Sequence, residues 1–134
     1  MFSMSVSIDV PKLADGVRFY TQAFGFSSIA EPIQGVAVLR AGDHQLCLLE
    51  KADGTRPASG TQDQRHYHRH WTSVHLDFHV DDLDQALKQA IAAGAKQEQR
   101  HDHPEHGSAA FCSDPFGHGF CLIQRRKNSN RRVE

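Results

Sequence analysis

The chain has 134 residues, 39% of them hydrophobic, and a formal net charge of −1 at pH 7. This length predicts one compact domain, or two very small half-domains that share a core. The near-neutral charge argues against a nucleic-acid-binding protein and against one that binds an anionic membrane. No stretch approaches the roughly 20 apolar residues of a membrane-spanning helix, and the N-terminus lacks the pattern of a signal peptide.

Cysteines and histidines are the residues that most often signal a disulfide or metal framework. The cysteines are odd in number and lie in apolar contexts, so we expect a reducing cytoplasm rather than disulfides. Six histidines form two polar clusters, interpreted as solvated loops because neither has the apolar frame that fixes metal ligands. The cysteines are Cys47, Cys112 and Cys121; the clusters are His66, His68 and His70, and His101, His103 and His106.

The first fifty residues predict a strand, a helix and three further strands. Apolar and polar residues alternate over residues 5–10, which is the period of a half-buried strand. An apolar stripe with helical spacing predicts a helix over residues 13–24, and Gly25 suits the left-handed position after it. Three short strands are predicted at 27–32, 35–40 and 44–50.

The second half of the chain repeats this order of elements. Residues 75–80 alternate again, and Asp82 with Gln85 forms a capping-box pattern at the start of a helix. Gly94 ends that helix. Three strands are predicted at 96–99, 108–113 and 118–124, with a turn at Asp114-Pro115-Phe116-Gly117.

A shift of 70 positions aligns the two halves and places Leu13 on Leu83. We interpret this match as an internal repeat. It predicts an α+β fold in which two tandem βαβββ modules form a curved mixed sheet with a cup-shaped site. The predicted bounds are 1–50 for the first module, 51–72 for a linker, 73–124 for the second module and 125–134 for a disordered tail.

The strand patterns predict a ligand pocket on the sheet face that turns away from the helices. Side chains alternate across a strand, so His75 and Asp77 face away from the helix that Leu76 contacts. Polar groups on that face, mixed with apolar ones, favour a lined cavity over a packed core. A pseudo-twofold between the modules would bring four positions together, pairing Ser5 with His75 and Glu50 with Cys121.

Three motifs, spanning residues 4–124, carry a family resemblance. The motifs are Val10-x-x-Leu13-x-x-x-Val17-x-Phe19-Tyr20-x-x-x-Phe24-Gly25-Phe26, His75-x-Asp77-x-x-Val80-Asp81-Asp82-Leu83 and Asp114-Pro115-Phe116-Gly117-His118-x-Phe120-x-Leu122. At these motifs the sequence resembles the vicinal oxygen chelate superfamily, which includes glyoxalase I, bleomycin-resistance proteins, fosfomycin-resistance enzymes and extradiol dioxygenases. The resemblance implies the glyoxalase/bleomycin-resistance fold, and usually a homodimer.

The resemblance also implies a divalent metal in enzymatic members. In the glyoxalase I pattern the ligands are His or Gln, Glu, His and Glu on the first, fourth, fifth and eighth strands. Here these positions read Ser5, Glu50, His75 and Cys121, so two match and two do not. We therefore predict an incomplete metal site at His75 and Glu50, in which Cys121 would add a soft ligand that favours Zn²⁺. Zn²⁺, Ni²⁺, Mg²⁺ and no metal at all stay open.

Two functions stay open on this basis. The first is a glyoxalase-like enzyme, resembling lactoylglutathione lyase, that acts on a small carbonyl or thiol-adduct molecule with Glu50 as catalytic group. The second is a non-catalytic, antibiotic-binding protein of the bleomycin-resistance type. Both have a small-molecule partner in the cup. The predicted ligand-binding residues are Ser5, Leu48, Trp71, Asp77 and Cys121.

Overall fold

The computed structural model describes residues 1–126, which form two compact units that divide between His68 and Arg69. Each unit carries one helix and one four-stranded mixed sheet, so the predicted tandem βαβββ modules are confirmed. The first unit contains β1 (Val6–Val10), α1 (Leu13–Phe24), β2 (Ser27–Ala30), β3 (Val36–Ala41) and β4 (His44–Glu50). The second contains β5 (Leu76–His79), α2 (Leu83–Ala93), β6 (Lys96–His103), β7 (Gly107–Ser113) and β8 (Gly119–Gln124).

The two sheets have the same strand order, β1-β4-β3-β2 and β5-β8-β7-β6. In each unit the first and last strands run parallel, and the other neighbours run antiparallel. The parallel pairing places Ser7 opposite Cys47 in the first unit and Asp77 opposite Cys121 in the second. This shared topology agrees with the internal repeat.

Helix α1 lies close against its sheet at Gly16. A Cβ atom at that position would lie 3.0 Å from Val10 Cγ1 and 3.2 Å from Leu48 Cδ1, so glycine permits the close approach. The helix ends as predicted, because Gly25 adopts a left-handed φ of 72° and donates its N–H to the carbonyl of Thr21.

Helix α2 begins and ends at the positions that the sequence predicts. The carboxylate of Asp82 accepts the N–H of Gln85 at 3.2 Å, which stabilises the first turn. Gly94, at a φ of 124°, follows its last residue. The buried residues of α2 are Leu83, Leu87 and Ala90, and Ala110 of β7 and Leu122 of β8 are buried in the same unit.

Strand β6 is longer than the sequence predicts. It runs to His103, which lies opposite Gly107 of β7, so His101 and His103 belong to a strand and the loop prediction for them was wrong. Every residue of β6 is exposed, and the strand forms an edge of its sheet. A polar edge strand has no apolar alternation, and therefore its sequence does not reveal it.

Most of the segment predicted as a linker folds within the first unit. Arg65 Nε lies 2.8 Å from Asp9 Oδ2 on β1, and the Tyr67 hydroxyl donates to the Lys51 carbonyl at 2.6 Å. Of the predicted tail, all but Arg125 and Arg126 lies outside the described residues. Neither helix within residues 1–126 has the length and apolar character needed to span a bilayer.

Candidate functional site

The face of β4 that turns toward α1 carries Leu46, Leu48 and Glu50. Both leucines are buried, and the Glu50 carboxylate accepts the N–H of Leu13, the first residue of α1, at 2.8 Å. Leu48, predicted to bind ligand, and Glu50, predicted to be catalytic, therefore face the helix and not the opposite face of the sheet, where the pocket was predicted. Their roles in ligand binding and catalysis stay predictions, and this placement argues against both.

The second unit explains the error in the predicted pairing. Gln124 Oε1 accepts the N–H of Leu83 at 2.6 Å, so Gln124 is the counterpart of Glu50 at the start of the helix. The shift is 70 positions between Leu13 and Leu83 but 74 between Glu50 and Gln124, because the intervening strands differ in length. Cys121 therefore corresponds to Cys47 rather than to Glu50.

Three side chains with metal-binding atoms meet on the second unit. His75 directly precedes β5, Asp77 lies within it, and Cys121 is opposite Asp77 on β8. His75 Nε2 lies 3.1 Å from Asp77 Oδ1, and the ligand atoms of all three residues lie within 4.8 Å of one another. His75 and Asp77 are exposed whereas Cys121 is buried, so the imidazole and the carboxylate face solvent and the sulfur lies beneath the surface. The prediction that His75 and Cys121 come together agrees with this geometry.

The electrostatics of this group keep the sulfur protonated. Burial, and after it the neighbouring Asp77 carboxylate, which accepts its hydrogen bond, together raise the pKa of the Cys121 thiol to about 12. The free thiol is therefore a poor nucleophile at neutral pH. A metal ion would have to displace its proton on binding.

A cavity of about 220 Å³ adjoins this group on the second unit. Trp71 and Cys121, predicted as ligand-binding residues, line it together with His75, predicted as a metal ligand. Arg69, Phe111 and Gly119 also line it and were not predicted, because no local pattern marks them. The lining residues are Arg69, Trp71, Thr72, His75, Phe111, Cys112, Gly119, Phe120 and Cys121.

Arg69 contributes a guanidinium cation to the cavity wall. Its Nε donates to Glu98 Oε2 at 2.6 Å and its Nη2 to Glu98 Oε1 at 3.0 Å. The hydrogen bond from Arg69 holds the pKa of the Glu98 carboxyl below its ordinary value, although partial burial opposes this. The guanidinium also lies 3.8 Å from the centre of the Trp71 ring.

The residues present fit a divalent metal of the kind that the resemblance implies. An imidazole nitrogen, a carboxylate oxygen and a sulfur form a donor set that suits Zn²⁺. Asp77 and Cys121 lie opposite each other on two adjacent strands of the second unit, and His75 directly precedes one of these strands. Ser5, exposed just before β1, and Glu50, bonded to α1, are not members of this group.

Comparison with known proteins assigns the fold to a family. The glyoxalase-like domain family matches residues 5–123, and the chain therefore belongs to it. Fosfomycin resistance protein FosX from Listeria monocytogenes is 17% identical, with a TM-score of 0.72 and coverage of 95% of this chain and 97% of that one. Lactoylglutathione lyase from Agrobacterium tumefaciens is 17% identical, with a TM-score of 0.64 and 92% of each chain covered.

A third similar structure contains a metal. It is a mutant of the Listeria monocytogenes FosX complexed with Mn(II) and 1S,2S-dihydroxypropylphosphonic acid. It is 16% identical to this chain, with a TM-score of 0.69 and coverage of 92% of this chain and 90% of that one. Identities this low establish a shared fold alone. The search of curated proteins found no match.

Proposed function

We propose that this protein is a glyoxalase-like enzyme that binds a small oxygen-bearing molecule, such as a carbonyl compound, in the cavity of the second unit. Zn²⁺ would be held beside this cavity by His75, Asp77 and Cys121. The observation that carries the proposal is the convergence of these three donors beside a cavity that His75, Cys121 and aromatic side chains line. A cytoplasmic location, which the cysteine usage predicts, and a homodimer, which the family resemblance implies, stay part of the proposal.

Each residue of the site would have a separate role in the proposed reaction. A divalent metal bound there would polarise an oxygen of the ligand. Asp77 is the carboxylate of the group, and its oxygen that is not bound to the metal would replace Glu50 as the candidate acceptor for a proton taken from the ligand. Trp71 and Phe111 would hold the apolar part of the ligand. The Mn(II) and phosphonate ligand of the FosX mutant support a metal and an oxygen-rich ligand in this fold.

One observation favours a second function, ligand binding without metal. The His75 imidazole already lies against the Asp77 carboxylate, and the Cys121 thiol keeps its proton at neutral pH. The three side chains are therefore paired with one another without a bound cation, as a binding protein of the bleomycin-resistance type requires.

Calorimetric titration of untagged protein with Zn²⁺ separates the two functions. We expect one equivalent to bind, and His75→Ala to weaken that binding by at least about tenfold because it removes a direct ligand. His106→Ala is the matched control, since His106 lies in the β6–β7 turn beside His103 and outside the group.

The outcomes are distinct. If His75→Ala leaves zinc affinity unchanged, or if His106→Ala alone abolishes binding, the metal lies elsewhere and the enzyme proposal fails. If the wild-type protein binds no zinc yet binds small molecules in the cavity, the metal-free binding function replaces it.

A further inference from the structure

We infer that Arg69 is the specificity-determining residue of the cavity, and that it selects ligands which carry an anionic oxygen group on an aromatic or apolar body. This inference rests on the proposed function, because it requires the cavity to bind a small molecule. It adds the chemical class of that molecule.

The backbone of β8 makes room for the Arg69 side chain at the cavity wall. A Cβ atom at Gly119 would lie 2.7 Å from Arg69 Nη2 and 3.1 Å from Nη1, which is too close for an unmoved guanidinium. Both residues line the cavity. Glycine at position 119 therefore lets the guanidinium pack directly against the sheet.

The Arg69 guanidinium is held in one orientation. The two hydrogen bonds to Glu98 fix one edge, Nη1 donates to the carbonyl of His70, and Trp71 covers one face. Only 24% of the Arg69 side chain is exposed. A fixed, shielded cation binds an anion more strongly than a mobile surface arginine, because less entropy is lost and water screens it less.

Arg69 retains hydrogen-bonding capacity for a ligand. Its bonds to the described residues use three of the five N–H groups of a guanidinium, and the other two lie on Nη1 and Nη2. Of the described residues, none that lines the cavity carries a carboxylate, and Asp77 lies beside the cavity with His75 and Cys121. A carboxylate or phosphonate of the ligand is therefore the natural partner.

The rest of the wall defines the body of the ligand. Trp71, Phe111 and Phe120 present aromatic rings to the cavity. Its volume of about 220 Å³ is smaller than the roughly 300–1,000 Å³ of pockets for drug-sized molecules. The expected ligand is thus a compact compound of about one ring with a single acidic group.

The chain contains one tryptophan, and it lines the cavity, so its fluorescence reports directly on binding. We would titrate phenylphosphonate, benzamide and benzylamine in chelating buffer, which removes any contribution from metal. Wild-type protein is expected to bind phenylphosphonate at least about tenfold more tightly than benzamide, which is the difference that one charged hydrogen bond makes. Arg69→Gln should abolish that preference while benzamide binding persists, and the surface control Arg18→Gln should keep it.

Glu98→Gln distinguishes ligand recognition from a merely structural role. If Arg69 recognises the anion, removing the competing carboxylate tightens phenylphosphonate binding and leaves benzamide unchanged. If Arg69 only supports Trp71, loosening its anchor weakens all three probes alike, and the inference is wrong. Should Arg69→Gln not fold, Glu98→Gln and the salt dependence of wild-type binding decide the question, since only the anionic probe loses affinity as salt rises.

The inference and the proposed function fail in different ways. Equal affinity for the three probes would refute anion selection and leave a binding cavity in place. No fluorescence response to any probe would refute the cavity as a binding site for compact ring compounds, and Arg69 selection with it. Neither result bears on the zinc titration, which tests the metal group by itself.

Discussion

The two units share a scaffold but differ on the face that turns away from the helix. In the first unit Asp9 on that face forms an ion pair with Arg65, whose side chain is only 16% exposed. In the second unit Asp77 contacts His75 and Cys121 beside a cavity. The two units therefore share one sheet topology, and the group of three metal-binding side chains found within residues 1–126 lies on the second.

Substitution of the matched cysteines should produce the largest measurable difference between the two units. In protein loaded with Co²⁺, Cys121→Ser should abolish the sulfur-to-metal absorption, whereas Cys47→Ser should leave it unchanged. Cys121 lies beside His75 and Asp77, while Cys47 is paired with Ser7, which is a poor ligand. Loss of the absorption in Cys47→Ser would show that both units contribute sulfur to the metal and would remove the contrast between them.

The matched leucines beneath the two helices give the next largest effect. Leu48 and Leu122 are both fully buried, so Leu48→Ala and Leu122→Ala should each lower the free energy of unfolding by about 2–5 kcal/mol. Urea denaturation measures the change. Neither should alter selectivity among the three ring compounds. A Leu48→Ala variant that unfolds normally but loses ligand affinity would restore the predicted ligand-binding role of Leu48.

The side chains that cap the two helices give the smallest effect. Glu50→Ala and Gln124→Ala each remove an acceptor from the first N–H of a helix, and each should cost about 1 kcal/mol of stability. Urea denaturation again measures the change, and Glu31→Ala is an exposed control. If zinc affinity falls in Glu50→Ala at unchanged stability, Glu50 is a ligand after all.

Local features of the fold could be predicted because their causes lie within a few residues. Helix α1 spans Leu13–Phe24 as its apolar stripe indicates, and Gly25 adopts the left-handed conformation that ends it. Asp82 caps α2 through Gln85, a contact between residues three positions apart. The polar strand β6 was predicted too short, since its stability comes from pairing with β7 and not from its own pattern.

The site itself depends on contacts that a local pattern does not contain. Arg69 reaches Glu98 across 29 positions of sequence, and Gly119 accommodates it from a third element. His75 and Asp77 were predicted to share a face because they lie two positions apart on one strand. Their partner Cys121 is fixed by the parallel register of β5 with β8.

The amino-acid sequence determined the repeat, the order of elements and the ends of the helices, since all of these follow from periodicity and capping. Only the tertiary structure decided which side of each last strand faces the helix. Residues 46–49 of β4 and 120–123 of β8 are apolar without alternation, so a period of two identifies no buried face. The pairing of β4 with β1, and of β8 with β5, determines which side of each last strand faces the helix. It therefore places Glu50 at the helix and Cys121 in the metal-binding group.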